Sequence, residues 1–281
     1  MERNEILKIV GKIWAESPEN RLAEDLVPHP ELAGKQLYAA PLVGFGAAKD
    51  PLFAAYKDPG IIGPWFMTPE EWLPGAASVI SLFFPFTDEV KKSIRENKDG
   101  FSSQWIYGRA EGQAFLTAFT DRLQKWFAER GIAACAPRTD PRFAAAYSGN
   151  KFREYGCVTE QTFSSNWSER HAAFVCGLGT FGLSSGLITE KGMAGRLTSL
   201  ILSERVEADV RPYTEVYESC IKCGACVRRC PAKAIDPGCG KDSAACKAWQ
   251  EQMIALHGPR FGCGLCQTRI PCESRNPGRK K

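Results

Sequence analysis

The chain has 281 residues, 44% of them hydrophobic, with 36 basic and 32 acidic side chains for a formal charge of +4. That apolar content supports one large or two smaller folded domains and excludes global disorder. A charge so small and so scattered does not argue for nucleic acid. The longest apolar run, Ala76 to Phe86, is too short to cross a bilayer and is broken by Ser78, Ser81 and Pro85. The N-terminus, Met-Glu-Arg-Asn-Glu, lacks the basic and apolar regions of a secretory signal. The expectation is a cytoplasmic protein with no membrane partner, whose twelve cysteines are kept reduced and need a role other than disulfides.

In chain order, Ile6, Val10, Ile13 and Trp14 repeat at helical spacing behind Asn4, an expected N-cap. Ala77 to Phe84 is a continuous apolar run with β-branched residues and predicts a buried strand. Glu111 to Arg130 predicts an amphipathic helix with Phe115, Phe119, Leu123 and Trp126 on one face, closed by Gly131. Core packing is the expected role of those aromatics. Ser168 to Cys176 predicts a helix and Arg196 to Leu202 a strand. Between them, Gly177-Leu-Gly179-Thr-Phe-Gly182 matches G-x-G-x-x-G. A dinucleotide fingerprint needs a strand before it and a helix after it, and this context offers the reverse. The mixture is α/β, in the broad sense that includes α+β.

Composition changes sharply after the last of these strands. Residues 1–200 hold Cys135, Cys157 and Cys176; residues 201–281 hold the other nine cysteines. The boundary is placed near residue 212, giving modules 1–211 and 212–281. The run Cys220-Ile-Lys-Cys223-Gly-Ala-Cys226-Val-Arg-Arg-Cys230-Pro231 is C-x2-C-x2-C-x3-C-P, the spacing that holds three corners of one [4Fe–4S] cubane and sends the fourth cysteine to another. Gly224 permits close backbone approach to a cluster. Zinc sites use two separated pairs instead, and four cysteines in so short a run do not wrap one ion comfortably. Cys230 therefore calls for a second cluster. Cys263, Cys266 and Cys272 are available, and the remaining ligand is Cys239 or Cys246. Cys246 is favoured, because it falls in the first turn of a helix capped by Asp242 or Ser243, where a thiolate is stabilised.

These motifs resemble the double-cluster module of the epoxyqueuosine reductases and of the cobalamin-dependent reductive dehalogenases. The carriers are Asp242 to Cys246, Cys263-Gly-Leu-Cys266-Gln267 and Cys272. The resemblance implies one cluster on Cys220, Cys223, Cys226 and Cys272 and another on Cys230, Cys246, Cys263 and Cys266. It extends over roughly residues 65–275: Leu73-Pro74-Gly75 to Ser78-Val79-Ile80, Tyr107-Gly108-Arg109, and Glu169-Arg170 through the glycine run to Leu187-Ile188-Thr189 all resemble the families' segments. By resemblance the first module is of the nitroreductase-like, corrin-binding type. Tyr107, Arg109, Gly177, Gly179 and Gly182 would lie at the corrin, and electrons from a low-potential ferredoxin or flavodoxin-type donor would enter at the Cys230 quartet. The implied chemistry is cobalamin-dependent reductive cleavage of a small molecule.

The departures narrow this. Counting back from Glu169-Arg170 places Phe163 where the epoxyqueuosine reductases carry a catalytic aspartate, and phenylalanine donates no proton. Glu111, Tyr155 and Glu160 are candidate replacements, each equally readable as an ordinary polar side chain. The closing loop, Pro271-Cys272-Glu273-Ser-Arg-Asn, differs from the family's, and the family's helical-repeat tail for tRNA is not expected here. The expectation is therefore an iron–sulfur oxidoreductase other than an epoxyqueuosine reductase; the alternative is an electron-transfer protein without cobalamin. No Asp-x-His-x-x-Gly run is present to offer cobalt a histidine, and His171 reads as structural. Cys176 adjoins the glycine run and is expected to face the cofactor. Arg275, Arg279, Lys280 and Lys281 read as a solvated basic tail. Two cubanes would bring about four negative charges, so the loaded protein would be near neutral.

Overall fold

The computed structural model describes residues 1–26, 29–98, 100–147, 163–238 and 240–279. Its elements run α1 (Arg3–Glu16), β1 (Leu42–Ala47), α2 (Pro51–Ala55), α3 (Pro69–Trp72), β2 (Ser78–Pro85), α4 (Asp88–Arg95), α5 (Ser103–Ala128), β3 (Ala134–Cys135), β4 (Ala145–Tyr147), β5 (Phe163–Ser165) and α6 (Glu169–Val175). There follow β6 (Gly179–Phe181), β7 (Leu187–Thr189), β8 (Gly195–Leu202), α7 (Ala225–Arg229), β9 (Ile235–Asp236), β10 (Gly240–Lys241) and α8 (Ser243–His257). Among the described residues no helix is long and apolar enough to cross a membrane.

The central sheet has the order β1-β2-β8-β3, and every pairing in it is antiparallel. This is the α+β form of the expected mixture. All eight residues of β2 are buried, which explains why it reads as an unbroken apolar run rather than an alternating one: both of its faces are covered. Ile80, Leu82 and Phe84, with Leu200 and Leu202 of β8, share a core with Phe115, Phe119 and Leu123 of α5 and with Ile6 and Val10 of α1. Val79 and Ile201, one residue out of phase, face Phe53, Trp72, Trp167 and Val175 instead. The period of two along each strand thus feeds two separate cores.

The long helix α5 begins eight residues before its expected start. Ser102 caps it by accepting from the Trp105 amide. Gly108 and Gly112 obscure the pattern in sequence, but the fold needs small residues there. A Cβ on Gly112 would collide with the Tyr38 hydroxyl, and that hydroxyl donates to the Gly108 carbonyl at 2.6 Å. Tyr107 and Arg109 therefore sit on a helix. Trp126, expected in the core, is only partly buried and carries Arg130 over its ring at 3.8 Å. At the other end of the chain, α1 starts at Arg3 after Glu2, with no side-chain cap, so Asn4 lies inside the helix.

The glycine run is neither strand-then-helix nor a loop. Gly179 opens β6, which pairs with β7 as a hairpin, and a Cβ on Gly179 would overlap the Ile188 carbonyl. Cys176 turns away from any cavity. It is fully buried, its thiol donates to the Val79 carbonyl at 3.4 Å, and burial raises its pKa strongly. That corrects the expectation that it faces a cofactor: α6 places it over β2, inside the core.

The cysteine-rich part interlocks with the rest of the chain. Leu183, Ile188 and Met193 share one core with Cys226, Ile235 and Ile270. The closing loop returns to the start of β8, where the Met193 amide donates to the Cys272 carbonyl at 2.9 Å and the Ala194 amide to the Glu273 carbonyl at 3.1 Å. Glu273 is buried at 5% exposure and pairs with Arg95 of α4.

Candidate iron–sulfur centre and adjoining cavity

Cys220, Cys223, Cys226 and Cys272 line one small cavity of about 20 Å³. Its other walls are apolar, among them Leu183, Ile188, Met193 and Ile270. The loop that carries the first three cysteines is curled by two left-handed residues, Lys222 at φ 51° and Gly224 at φ 69°. Such alternation turns successive amides inward, the arrangement that suits an anionic centre. Gly224 was legible in the sequence; Lys222, a residue that adopts this conformation at some cost, was not. Pro231 and the turn after it set Cys230 apart from the other three, and the Ala234 amide donates to the Cys230 sulfur at 3.3 Å.

A second set gathers beside the first. Burial pushes the Cys263 thiol up to about 12, and Cys266, Cys246 and Cys230 raise it further through their charges. Burial likewise raises Cys266, with Cys246 and Cys230 again adding to the shift. Cys272 is pushed up to about 12 by burial first, then by Cys226, Cys220 and Cys223. Thiols this crowded and desolvated stay protonated at neutral pH unless cationic iron offsets the charge of four thiolates. The chemistry of the first donor set therefore fits a [4Fe–4S] cluster: soft sulfur ligands and apolar walls that exclude water.

Cys246 lies in the first turn of α8, where Asp242 accepts from the amides of Ala244 and Ala245 at 2.8 and 3.0 Å. Asp242→Ala is expected to cost about 1 kcal/mol. Thermal melts should show the loss, together with faster bleaching of cluster absorbance in air. Cys157 and Cys239 lie outside the described residues, as do Tyr155, Glu160, Lys280 and Lys281. Arg279 of the basic tail pairs with Glu190.

The five residues assigned to a corrin do not converge. Gly177 and Gly179 line a surface pocket with Pro212, Tyr213 and Asn276. Gly182 lines the Cys220 cavity, and Arg109 lines a third. Tyr107 is packed in the core at 6% exposure. They do not form one cradle for a wide macrocycle. Among the described residues no histidine lines the third cavity: His171 bonds Ser168 at 2.7 Å between Tyr56 and Phe181, burial lowers its pKa to about 4, and His257 stacks on Phe101 at 4.2 Å.

The third cavity, open to solvent and of about 400 Å³, is a feature that the sequence did not show. Arg109, Arg138, Arg170 and Arg196 line it, with Glu169, Trp167 and Gln267. Gln267 follows Cys266, whose charge both Arg109 and Arg170 feel. The cavity therefore lies beside Cys266. Both carboxylate oxygens of Glu169 are buried without a well-formed hydrogen bond. Burial raises its pKa to about 7, with Ser199, Arg138 and Trp167 only partly opposing the shift. Glu111, a candidate acid in the sequence, is instead paired with Arg260 at 2.5 Å. Phe163 lies in β5, and its side chain is outside the described part. Glu169 and Arg170 stood out in the sequence only as a motif. Their role was hidden because the wall is assembled from α5, the turn after β3, α6 and β8.

Residues 213–236 match the model of the 4Fe-4S binding domain. No curated protein matches the chain significantly by sequence. Among solved structures, a selenomethionine-labelled epoxyqueuosine reductase is 18% identical, with 83% of this chain and 61% of that one covered and a TM-score of 0.47. Epoxyqueuosine reductase from Streptococcus thermophilus is 16% identical over 84% of this chain and 64% of that one, at 0.45. A reductive dehalogenase is 17% identical over 84% and 30%, at 0.47. The chain thus spans less than two thirds of each. These neighbours are of the two kinds that the motifs resemble.

Proposed function

We propose that the chain is an iron–sulfur oxidoreductase that passes single electrons from an outside donor to a small molecule held in the arginine-lined cavity. The observation that carries this reading is the place of that cavity: Gln267, next in sequence to Cys266, lines it, and the exposed Cys223 does not. Two [4Fe–4S] clusters, on Cys220, Cys223, Cys226 and Cys272 and on Cys230, Cys246, Cys263 and Cys266, would supply one-electron transfer between surface and cavity.

The chain's own residues set direction and protonation. Cys223 is exposed, beside the exposed apolar side chains Val216, Tyr217 and Ile221. This edge suits docking of a low-potential ferredoxin or flavodoxin-type donor, and Lys222 and Arg228 suit an acidic one. The resemblance implied entry at the Cys230 quartet; the exposure of Cys223, against the half-buried Cys230, Cys246, Cys263 and Cys266, favours the opposite order. With its pKa raised to about 7, Glu169 is protonated in about half of the molecules at neutral pH, next to the bound molecule, which suits an acid for reductive cleavage. Epoxyqueuosine reduction is left out of the reading, because Phe163 stands where that family's acid would be.

The cobalamin of the resemblance would have to occupy the same cavity with Arg109 alone of its five assigned residues, and no step is routed through it here. That scatter favours the second reading, an electron-transfer protein without cobalamin; the buried carboxyl in the cavity favours the first. Oxygen-free purification followed by iron, sulfide and cobalt analysis and a cobalamin titration tests both. About eight irons per chain is the expected result. A value near four sinks the two-cluster assignment, and tight uptake of the corrin restores cobalamin to the reading.

A further inference from the structure

The wall of the third cavity is strongly one-signed. Among the described residues, four arginines line it and Glu169 is its one acidic lining residue. A cubane on the neighbouring thiolates, carrying about two negative charges, leaves the wall positive even with Glu169 ionised. None of Arg109, Arg138, Arg170 and Arg196 forms a salt bridge to a carboxylate among the described residues. Arg196 is oriented by bonds to Gln113 at 2.6 Å and to the Arg109 carbonyl at 3.3 Å. Arg138 lies over the Phe143 ring at 4.4 Å.

Crowding like charges has a visible cost. Arg109 is lowered to about 10, first by burial and then by Arg196, with Arg170 adding to it. The same wall holds a buried acceptor without a partner, the Gln267 Oε1, and two Glu169 oxygens that Ser199 and Trp167 satisfy only loosely. Buried polar atoms without partners are rare in finished sites and commonly await a ligand. The rest of the lining is apolar, chiefly Phe143, Trp167 and Leu197.

From this arrangement we infer that the cavity binds an organic carboxylate, its charged end between Arg138 and Arg196 and its apolar body against Phe143 and Trp167. Guanidinium forks match a carboxylate in two parallel hydrogen bonds, and the aromatic walls match a hydrocarbon or aromatic body that inorganic phosphate lacks. A hydroxyl or amine on the same molecule would satisfy Glu169 and Gln267. The inference rests on the oxidoreductase reading and names the class of its substrate.

The test uses the oxygen-free holoprotein, with iron content and cluster spectra recorded on every sample. Binding of benzoate, benzamide and inorganic phosphate is measured by calorimetry. Benzoate is expected to bind and benzamide at least tenfold more weakly, with Arg138→Gln and Arg196→Gln each weakening benzoate about tenfold. Arg138 is exposed on a turn, so its variant should fold even where Arg196→Gln does not. Benzamide binding as well as benzoate, phosphate binding while benzoate does not, or unchanged affinity in the folded Arg138 variant overturns the inference. Full iron with no benzoate binding sinks the carboxylate site alone. Missing iron sinks the oxidoreductase reading, whatever the calorimetry shows.

Discussion

Cys272→Ser and Cys246→Ser are each expected to lower iron from about eight to about four per chain, and each should erase a different cluster signal. The two residues lie on separate parts of the fold. Cys272 is held at the start of β8 by the Met193 amide, in the cavity with Cys220, Cys223 and Cys226. Cys246 rides on α8, near enough for its charge to raise the Cys263 and Cys266 thiols. Serine oxygen is a poor substitute for a soft thiolate ligand. Paramagnetic spectra of the reduced proteins check the assignment: Cys220→Ser should resemble Cys272→Ser, and Cys263→Ser should resemble Cys246→Ser. If Cys272→Ser and Cys246→Ser lose the same signal, the two quartets are wrongly divided.

Glu169→Gln should alter how stability depends on pH, and the sign follows from proton counting. An unfolded glutamate ionises near 4.5, whereas this carboxyl is raised to about 7 in the fold. Between those values the folded chain holds a proton that the unfolded chain has released, so this group's contribution falls as pH rises. The full shift corresponds to about 3 kcal/mol, and water in the open cavity reduces that to about 1–2 kcal/mol. His171 acts in the other direction. Lowered to about 4 by burial, it contributes fully above the ordinary histidine range and loses its contribution as pH falls. The prediction is therefore a difference: denaturation from pH 5.5 to 8 should show Glu169→Gln gaining about 1–2 kcal/mol on the unaltered protein toward pH 8. Parallel curves would mean that Glu169 is ionised in the fold and cannot serve as the acid.

The sequence by itself determined the local chemistry. C-x2-C-x2-C-x3-C-P places three thiolates within reach of one cluster whatever surrounds them, and Asp242 caps the helix of Cys246 through bonds that span only two or three residues. The apolar run of β2 and the Phe115–Phe119–Leu123 face of α5 were legible for the same reason, since a strand or helix period is written in consecutive residues. Where a residue's role depends on distant neighbours, the sequence was silent or misleading. Gly108 and Gly112 hid the start of α5 because their purpose is the approach of Tyr38 from 70 residues away. The glycine run suggested a cofactor loop because its closest neighbour, the Ile188 carbonyl, becomes a neighbour only when the hairpin closes. Above all, the tertiary structure alone brought four arginines and a buried glutamate to one cavity beside Cys266. They come from elements spread over nearly a hundred residues, and long-range charge clustering leaves no period or spacing to read.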